Sequence, residues 1–256
     1  MKKLKIHKRV AFLSDIHLPF EHSNLLKASL EIIKEEKADT IVLGGDIVDF
    51  YNVASWTIDK TALKISEELD YVSEFLSQLR KMFPKQEIIF IEGNHEERFL
   101  KFIYKRADIF APLLKRELSI QNILQLDKFN IHYKNEPFPI GKLFFLHGHE
   151  KKSQGQIVHI ALTILRWLNR SFICGHFHRF NTFIQKEVEK SVKGGFTNGT
   201  FLNIKKMPTP YEKIDTNQLG FSMIYYHNEH FFVKPIMFIP HKQKFVAFYN
   251  DSVISI

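Results

Sequence analysis

Short apolar runs alternate with longer amphipathic stretches in the first part of the chain. Residues 9–14 and 40–43 are apolar runs of strand length, and residues 24–37 between them carry leucine and isoleucine at helical spacing. A strand, a helix and a second strand in this order are typical of a βαβ unit with parallel strands. The pattern therefore predicts an α/β fold built on a largely parallel sheet.

The same alternation continues along the chain and adds further elements. Helices are predicted at residues 61–83, 97–118 and 153–169, and strands at residues 86–91, 142–146, 171–174, 221–226 and 230–236. Residues 130–139 are predicted to form part of a hairpin. Residues 97–118 are either a helical insertion that shapes a substrate pocket or one more covering helix. No linker rich in proline, glycine or serine interrupts the middle of the 256 residues, so we expect one domain over residues 1–256.

Polar residues directly follow five of the predicted strands. They are Asp15 and His17, Asp46 and Asp49, Asn94 and His95, His147 and His149, and His176 and His178. Because ligands of open α/β sheets bind at the carboxyl ends of the strands, we expect these side chains to converge. Imidazole, carboxylate and amide groups without thiolate suit divalent ions such as Mn²⁺, Fe²⁺ or Zn²⁺. The set is too large for one ion and meets the needs of two ions about 3.5–4 Å apart.

The chain is basic, with a formal net charge of +8 and a sequence pI near 9.3. This charge suits an anionic partner such as nucleic acid, a nucleotide or a phosphoprotein. A composition rich in lysine, phenylalanine, isoleucine and asparagine produces the same charge without selection for any partner. We favour that second interpretation, because charge alone indicates association and not chemistry.

The cysteine count and the apolar stretches indicate a compartment. Cys174 is the only cysteine, so no intramolecular disulfide can form and a reducing environment is expected. The longest helical apolar stretch, residues 157–168, is interrupted by His159 and Arg166, which disfavours a membrane span. We therefore expect a cytoplasmic protein without a membrane partner, and its oligomeric state stays open.

Five sequence blocks together resemble the calcineurin-like metallophosphoesterase family. They are Asp15-Ile-His17, Gly45-Asp46-Ile-Val-Asp49, Gly93-Asn94-His95-Glu96, His147-Gly-His149 and Gly175-His176-Phe-His178. All five occur in the family's order over residues 15–178, and the look is that of stand-alone bacterial or phage-encoded members. The resemblance implies a four-layer α/β/β/α sandwich with two mixed β-sheets.

The resemblance also implies roles for single residues. One metal ion would be held by Asp15, His17, Asp46 and His178, and the other by Asp46, Asn94, His147 and His176, with Asp46 bridging. His95 would be the catalytic histidine, which protonates the leaving oxygen or holds the phosphate. Two divalent ions, Mn²⁺ in the first place and Fe, Zn, Ni or Co as alternatives, would activate a bridging hydroxide for in-line attack on the phosphoryl group.

Five further residues near the blocks are candidates for support or substrate contact: Asp49, Glu96, Arg98, His149 and Arg179. Asp49 and His149 could orient metal ligands, although loop hydrogen bonds or a solvated turn would explain them too. Arg98 and Arg179 could clamp a phosphate, and a surface salt bridge accounts for either one as well. Tyr51 and Trp56 could line the pocket or stack on a base, but packing is the commoner role of such residues.

Two departures from related groups bear on the substrate. Leu18 and Phe50 stand where protein serine/threonine phosphatases usually have glycine and arginine, and His95 stands where lipid A precursor pyrophosphatases have arginine. The leading hypothesis is a two-metal hydrolase of phosphate mono- or diesters that acts on a phosphorylated small molecule or a nucleotide. The alternatives are a nuclease with the same chemistry, favoured by the charge and the nearby aromatic residues, and a non-catalytic scaffold on the same fold.

Overall fold

A computed structural model of the chain describes residues 5–54, 59, 63–106, 118–151, 159–186, 192–210 and 215–256. The described helices are α1 (Ser23–Glu35), α2 (Ile65–Met82), α3 (Asn94–Arg106), α4 (Ile120–Ile123) and α5 (Ile160–Leu168). Short 3₁₀ turns lie at Tyr51–Val53, Leu126–Phe129 and Ile204–Lys206. Among these described residues, no helix combines the length and the apolar character that crossing a membrane requires.

The larger sheet has eight strands. They are β1 (Lys8–Leu13), β2 (Thr40–Leu43), β3 (Glu87–Ile91), β4 (His132–Lys134), β10 (Leu219–His227), β11 (His230–His241), β12 (Lys244–Tyr249) and β13 (Ser252–Ser255). Their spatial order is β13-β12-β11-β10-β1-β2-β3-β4. Strands β1 to β4 are parallel, whereas β10 to β13 are joined in antiparallel pairs, so this sheet is mixed.

The smaller sheet has five strands. They are β5 (Phe138–Ile140), β6 (Leu143–Leu146), β7 (Phe172–Cys174), β8 (Asn181–Lys186) and β9 (Val192–Thr197). Their order is β5-β6-β7-β9-β8, with β6, β7 and β9 parallel and an antiparallel strand at each edge. Both sheets are therefore mixed.

Alternation of side chains along the strands sorts the core into layers. In β1, Ala11 and Leu13 point toward α1 and α2, while Val10 and Phe12 point toward the smaller sheet and meet residues such as Phe145. Large apolar side chains that are buried in this way, such as those of Val10, Phe12 and Leu13, stabilise the fold by about 1.5–3 kcal/mol each.

The outer face of the smaller sheet is covered in the same way. Phe172 and Cys174 of β7 pack against Ile164 and Leu165 of α5. The order of layers is thus helix, sheet, sheet, helix. The predicted four-layer α/β/β/α sandwich with two mixed sheets is confirmed.

One local prediction holds only in part, and another is wrong. Within residues 130–139, β5 forms a hairpin with β6 in the smaller sheet, whereas β4 pairs in parallel with β3 in the larger sheet. Helix α3 begins at Asn94 rather than at residue 97, so Asn94 and His95 lie in its first turn. Carboxylates stabilise this early start: Asp46 accepts the amide proton of His95, and Glu96 accepts that of Gly93.

The predicted helical insertion at residues 97–118 can be followed only in part. Its first half continues α3 to Arg106, and residues 107–117 lie outside the described residues. The start of the helix predicted at 153–169 also lies outside them, and its remainder is α5.

Candidate metal centre

The carboxyl ends of β1, β2 and β3 in the larger sheet face those of β6 and β7 in the smaller sheet. The polar residues that follow these strands form three groups in which ligand-type atoms all lie within 4.8 Å of one another. The groups are Asp15, His17 and His178; Asp46, His147 and His176; and His17, Asp49 and His95. The convergence predicted from the strand ends is therefore present.

The first group joins the ends of β1 and β7. Nε2 of His17 lies 3.2 Å from Nε2 of His178, which in turn lies 3.4 Å from Oδ1 of Asp15. Asp15 is fully buried, and both of its oxygens accept the amide proton of His176 at 2.9 and 3.0 Å. The Asp15 carboxylate is thus held by the chain segment that carries His176 and His178.

The second group is centred on Asp46. Oδ2 of Asp46 lies 3.2 Å from Nε2 of His147, and the same nitrogen lies 3.0 Å from Oδ1 of Asn94. The ring of His176 stands 5.2 Å from that of His147, measured between centroids. All four residues that the family resemblance assigns to one ion are therefore neighbours.

Hydrogen bonds on the far side of the rings fix the orientation of three imidazoles. Nδ1 faces an acceptor in each case: the carbonyl oxygen of Gly44 for His147 (2.8 Å), Oδ2 of Asp49 for His17 (2.9 Å) and Oδ1 of Asn217 for His178 (3.2 Å). Each Nδ1 therefore carries the proton and donates it, which leaves the lone pair of Nε2 directed into the cluster.

The donor set fits divalent cations. Lone pairs of Nε2 face carboxylate oxygens and one another across 3.2–3.4 Å, and acceptors so placed repel unless a cation or a proton lies between them. Two ligands bound at about 2.1 Å to one cation stand about 3.0–3.4 Å apart, depending on the coordination geometry. The spacing of Asp15, His17 and His178, and that of Asp46, Asn94 and His147, agrees with this separation.

The pKa shifts of His147 and Asp46 also indicate that a positive charge is favoured within the cluster. Burial opposes the charge on His147, but the carboxylates of Asp46 and Asp15 raise its pKa from 6.5 to about 10. Burial would also raise the pKa of Asp46, but His147 and His95 hold it well below the usual range. In the metal-free protein a proton on the imidazole thus balances the carboxylate, and metal binding would release it.

Several of these residues have a left-handed backbone. Asp15, His17, Asp46, His176 and His178 all have φ between 51° and 70°. A residue with a side chain adopts this conformation at a cost, and such positions cluster at functional sites. The neighbouring Gly45 has φ 87°, and a Cβ there would come within 2.5 Å of Nδ1 of His147. Glycine is required so that the Asp46 loop can approach the imidazole.

His95 lies beside the second group. Its Nδ1 is 2.7 Å from the carbonyl oxygen of Asp49 and donates to it, so Nε2 points toward Oδ2 of Asp46 at 3.8 Å. Burial lowers the pKa of His95 to about 4. The ring is therefore held by the main chain of Asp49 and turned toward the space between the groups.

The loop that carries Asp46 and Asp49 has its amides held by a buried carboxylate. Glu96 accepts the amide protons of Asp46, Ile47 and Val48 at 2.9–3.1 Å, and that of Gly93 at 2.9 Å. Burial and the nearby Asp46 raise the pKa of Glu96 to about 8. Glu96 thus supports the loop and lies behind it, away from a substrate position.

The remaining candidates have different positions. The side chain of Asp49 is bonded to His17, and Arg98 donates to the Asp49 carbonyl oxygen at 2.7 Å. His149 stands at the margin, with its ring 5.3 Å from that of His147. Arg179 is exposed and donates to Oγ1 of Thr216 at 2.8 Å. Substrate contact by Arg98, His149 or Arg179 stays a prediction.

The aromatic residues after Asp49 divide. Tyr51 is fully buried and packs edge-on against Phe20 at 5.6 Å, as the packing interpretation expects. Trp56 lies outside the described residues.

Sequence reasoning missed two supporting side chains. Asn217 accepts the proton of His178 from a position 39 residues away. Glu68 of α2 is fully buried and accepts the amide proton of Phe50, immediately after Asp49. Neither residue lies in a motif, and only the folded chain brings them to the site.

Comparison with known proteins identifies the family of the chain. The Gene 54 proteins of Mycobacterium phages L5 and D29 are 28% and 26% identical to this chain over 182 residues, which cover 67% of the chain and 69% of each phage protein. The crystal structure of Chaetomium thermophilum Vps29 is similar with a TM-score of 0.48 and 11% identity, over 98% of this chain and 97% of that one. A model of the calcineurin-like phosphoesterase family matches residues 8–194. Because this match spans more than half of its length, the chain belongs to the calcineurin-like phosphoesterase family.

Proposed function

We propose that the protein is a phosphoesterase with two divalent metal ions that hydrolyses phosphate mono- or diesters. The observation that supports this proposal is that two groups of ligand-type residues lie together at the carboxyl ends of the strands. They are Asp15, His17 and His178, and Asp46, Asn94, His147 and His176. In this proposal Asp46 contributes to both ions. The fixed Nδ1 protons of His17, His147 and His178 support it, because they leave three Nε2 lone pairs free for metal.

The residues divide the chemical work. Bound cations would polarise the phosphoryl oxygens and offset the charge that develops during attack. His95 holds its Nδ1 proton on the Asp49 carbonyl oxygen, so Nε2 would first take up a second proton from solvent or from the bound phosphate group. The resulting imidazolium would hold the phosphate or pass the Nε2 proton to the leaving oxygen and return to the neutral Nδ1–H form. Arg98 donates to the same carbonyl oxygen, and its Nη2 lies 3.0 Å from Nδ1 of His95.

The proposed substrate is a phosphorylated small molecule or a nucleotide, in a cytoplasmic setting. A nuclease with the same chemistry is the second candidate. It is favoured by the exposed Lys101, Lys105 and Arg106, which follow His95 along α3 and could contact a nucleic acid backbone. Lys101 is also paired with Glu97 at 2.7 Å, so part of this charge is balanced locally.

A substrate panel with matched metal loading tests the proposal. Purified protein is loaded with Mn²⁺ or treated with chelator, and both samples are given a phosphomonoester, a linear diester, a cyclic nucleotide, single- and double-stranded DNA, RNA and a phosphopeptide. We expect metal-dependent hydrolysis of mono- or diesters. Cleavage of DNA or RNA that weakens steeply with salt would favour the nuclease. Two bound ions without turnover on any substrate would contradict the enzyme and favour a scaffold.

A further inference from the structure

Glu68 occupies an unusual place for a carboxylate. It lies on α2, outside every motif, and its side chain is fully buried. One oxygen accepts the amide proton of Phe50, and the other has no hydrogen-bond partner among the described residues. A buried carboxylate is costly, so its retention next to the Asp49 segment calls for a specific role.

The amide that Glu68 binds belongs to the same peptide unit that holds His95. The peptide between Asp49 and Phe50 is planar, and its C=O and N–H groups point in opposite directions. Its N–H donates to Glu68 on one side, and its carbonyl oxygen accepts from Nδ1 of His95 at 2.7 Å on the other. Glu68 and His95 are thus joined through one rigid group.

The carboxylate of Asp49 lies closer to His17 than to His95. Its Oδ2 lies 2.9 Å from Nδ1 of His17 but 3.5 Å from Nδ1 of His95. The side chain of Asp49 therefore serves His17, and its main chain serves His95. Whatever fixes the Asp49–Phe50 peptide also fixes the orientation of His95.

The backbone conformation at Phe50 is strained. Phe50 has φ 50°, a left-handed conformation that a bulky side chain adopts at a cost. Two contacts balance this cost: the ring of Phe50 stacks on Phe99 at 4.4 Å, and its amide reaches Glu68. The stacking fixes the side chain, whereas two groups act on the peptide plane: Arg98 donates to its carbonyl oxygen at 2.7 Å, and Glu68 accepts from its N–H. Glu68 is the side chain that holds the N–H side of this peptide.

We propose that Glu68 is a positioning residue, which sets the Asp49–Phe50 peptide so that its carbonyl oxygen keeps His95 in the Nδ1–H tautomer with Nε2 directed at the substrate. This inference rests on the proposed function for its effect on turnover. Its structural part, the orientation of His95, is independent of any activity.

Three variants separate positioning from general stability. Glu68→Leu removes the acceptor, and Glu68→Gln keeps an acceptor oxygen on a side chain of the same size. Val72→Ala is the matched control, because Val72 lies one turn further along α2, is equally buried in the same core cluster and has no acceptor for the Phe50 amide. Urea unfolding of each variant shows whether the stabilities of Glu68→Leu and Val72→Ala are comparable.

The first measurement needs no turnover. In protein loaded with Zn²⁺, ¹⁵N NMR of labelled histidines reports the tautomer of His95, assigned by loss of its signals in His95→Gln, and hydrogen exchange reports the Phe50 amide. We expect Glu68→Leu to expose the Phe50 amide to exchange and to mix the tautomers of His95. Glu68→Gln and Val72→Ala should retain the wild-type signals. Unchanged signals in Glu68→Leu would overturn the proposal.

The second measurement uses hydrolysis of bis(p-nitrophenyl) phosphate with Mn²⁺. We expect kcat of Glu68→Leu to fall about 10- to 100-fold with KM and metal content unchanged, as for other groups that orient an active residue. Glu68→Gln should recover most of kcat. An equal fall in Val72→Ala would overturn the positioning role. Absence of wild-type turnover would instead count against the proposed function, and the NMR result would still judge Glu68.

Discussion

The two sheets supply chemically different halves of the site. The larger sheet delivers every carboxylate among the candidate ligands, Asp15 and Asp46, together with the supporting Asp49. The smaller sheet delivers His147, His176 and His178 and no carboxylate to these groups. Anionic and neutral ligands therefore approach each other across the joint between the sheets, by which we mean the place where the carboxyl ends of β1, β2 and β3 face those of β6 and β7.

This division shows why neither sheet supplies a complete proposed ligand set alone. The groups Asp15, His17 and His178 and Asp46, His147 and His176 each take a carboxylate from the larger sheet and at least one imidazole from the smaller one, whereas the third group lies wholly on the larger sheet. A cation at either position would neutralise the larger sheet and bind the two sheets together. Metal binding and the packing of the sheets should therefore be coupled.

The largest expected effect comes from a residue on the larger-sheet side that is not a ligand. His95→Asn should lower turnover by roughly 10²- to 10⁴-fold, because it removes the proposed proton donor. The metal content of His95→Asn should stay at the wild-type value, since neither of the two proposed ligand sets includes His95. Steady-state kinetics and elemental analysis of the same sample check both parts. A variant with undiminished rate would contradict the role of His95.

Substitution of the shared carboxylate should break the site most completely. Asp46→Asn should weaken binding of both ions by more than the roughly 10- to 100-fold that loss of an outer hydrogen-bond partner causes. His178→Ala, on the smaller sheet, should weaken only one ion. Calorimetric titration with Mn²⁺ resolves the two cases. Asp46→Asn protein that still binds one ion with unchanged affinity would show that the carboxylate is not shared.

Much of this site was predictable because strand direction is a local property. A short apolar run followed by Asp15, Asp46 or His147 places that residue at the carboxyl end of a strand, and parallel strands share that edge. The order of layers followed from the family resemblance. Convergence of the groups therefore required no knowledge of distant contacts.

The supporting contacts were not predictable, because they join residues that are remote along the chain. Glu68 is one charged residue among several on α2, and nothing in its neighbours marks it as buried. Asn217 and the carbonyl oxygen of Gly44 orient His178 and His147 only after the sheets have packed. The separation of β4 from the predicted hairpin at 130–139 has the same origin, since periodicity identifies strands but not their partners.

Removal of metal should loosen the joint between the sheets. At a free ion concentration 100 times Kd, each bound ion stabilises the folded protein by about 2.7 kcal/mol. Urea unfolding of the Mn²⁺-loaded protein should therefore have a higher midpoint than unfolding in chelator. Asp46→Asn should show little of this difference. Equal midpoints for loaded and chelated wild-type protein would indicate that the sheets do not depend on metal.

A smaller effect should appear as a pH dependence of the metal-free protein. The pKa of His147 is raised from 6.5 to about 10, so the folded state binds this proton more tightly than the unfolded state. The resulting stability is fully present below pH 6.5 and is lost as the pH rises toward 10. Burial raises the pKa values of Glu96 and Glu68 from 4.5 to about 8. The stability of the folded protein that depends on their protons is therefore also lost as the pH rises.

Groups with lowered pKa values do not oppose this trend in the same window. His95 and His176, lowered from 6.5 to about 4 by burial, affect stability only below pH 6.5. In chelator, the free energy of unfolding should therefore fall steadily between pH 6.5 and 10, as measured by urea unfolding. Bound metal should reduce the His147 part of this fall, because a cation replaces the proton between His147 and Asp46. A metal-free protein whose stability rises over this range would show that the joint is not balanced by protons.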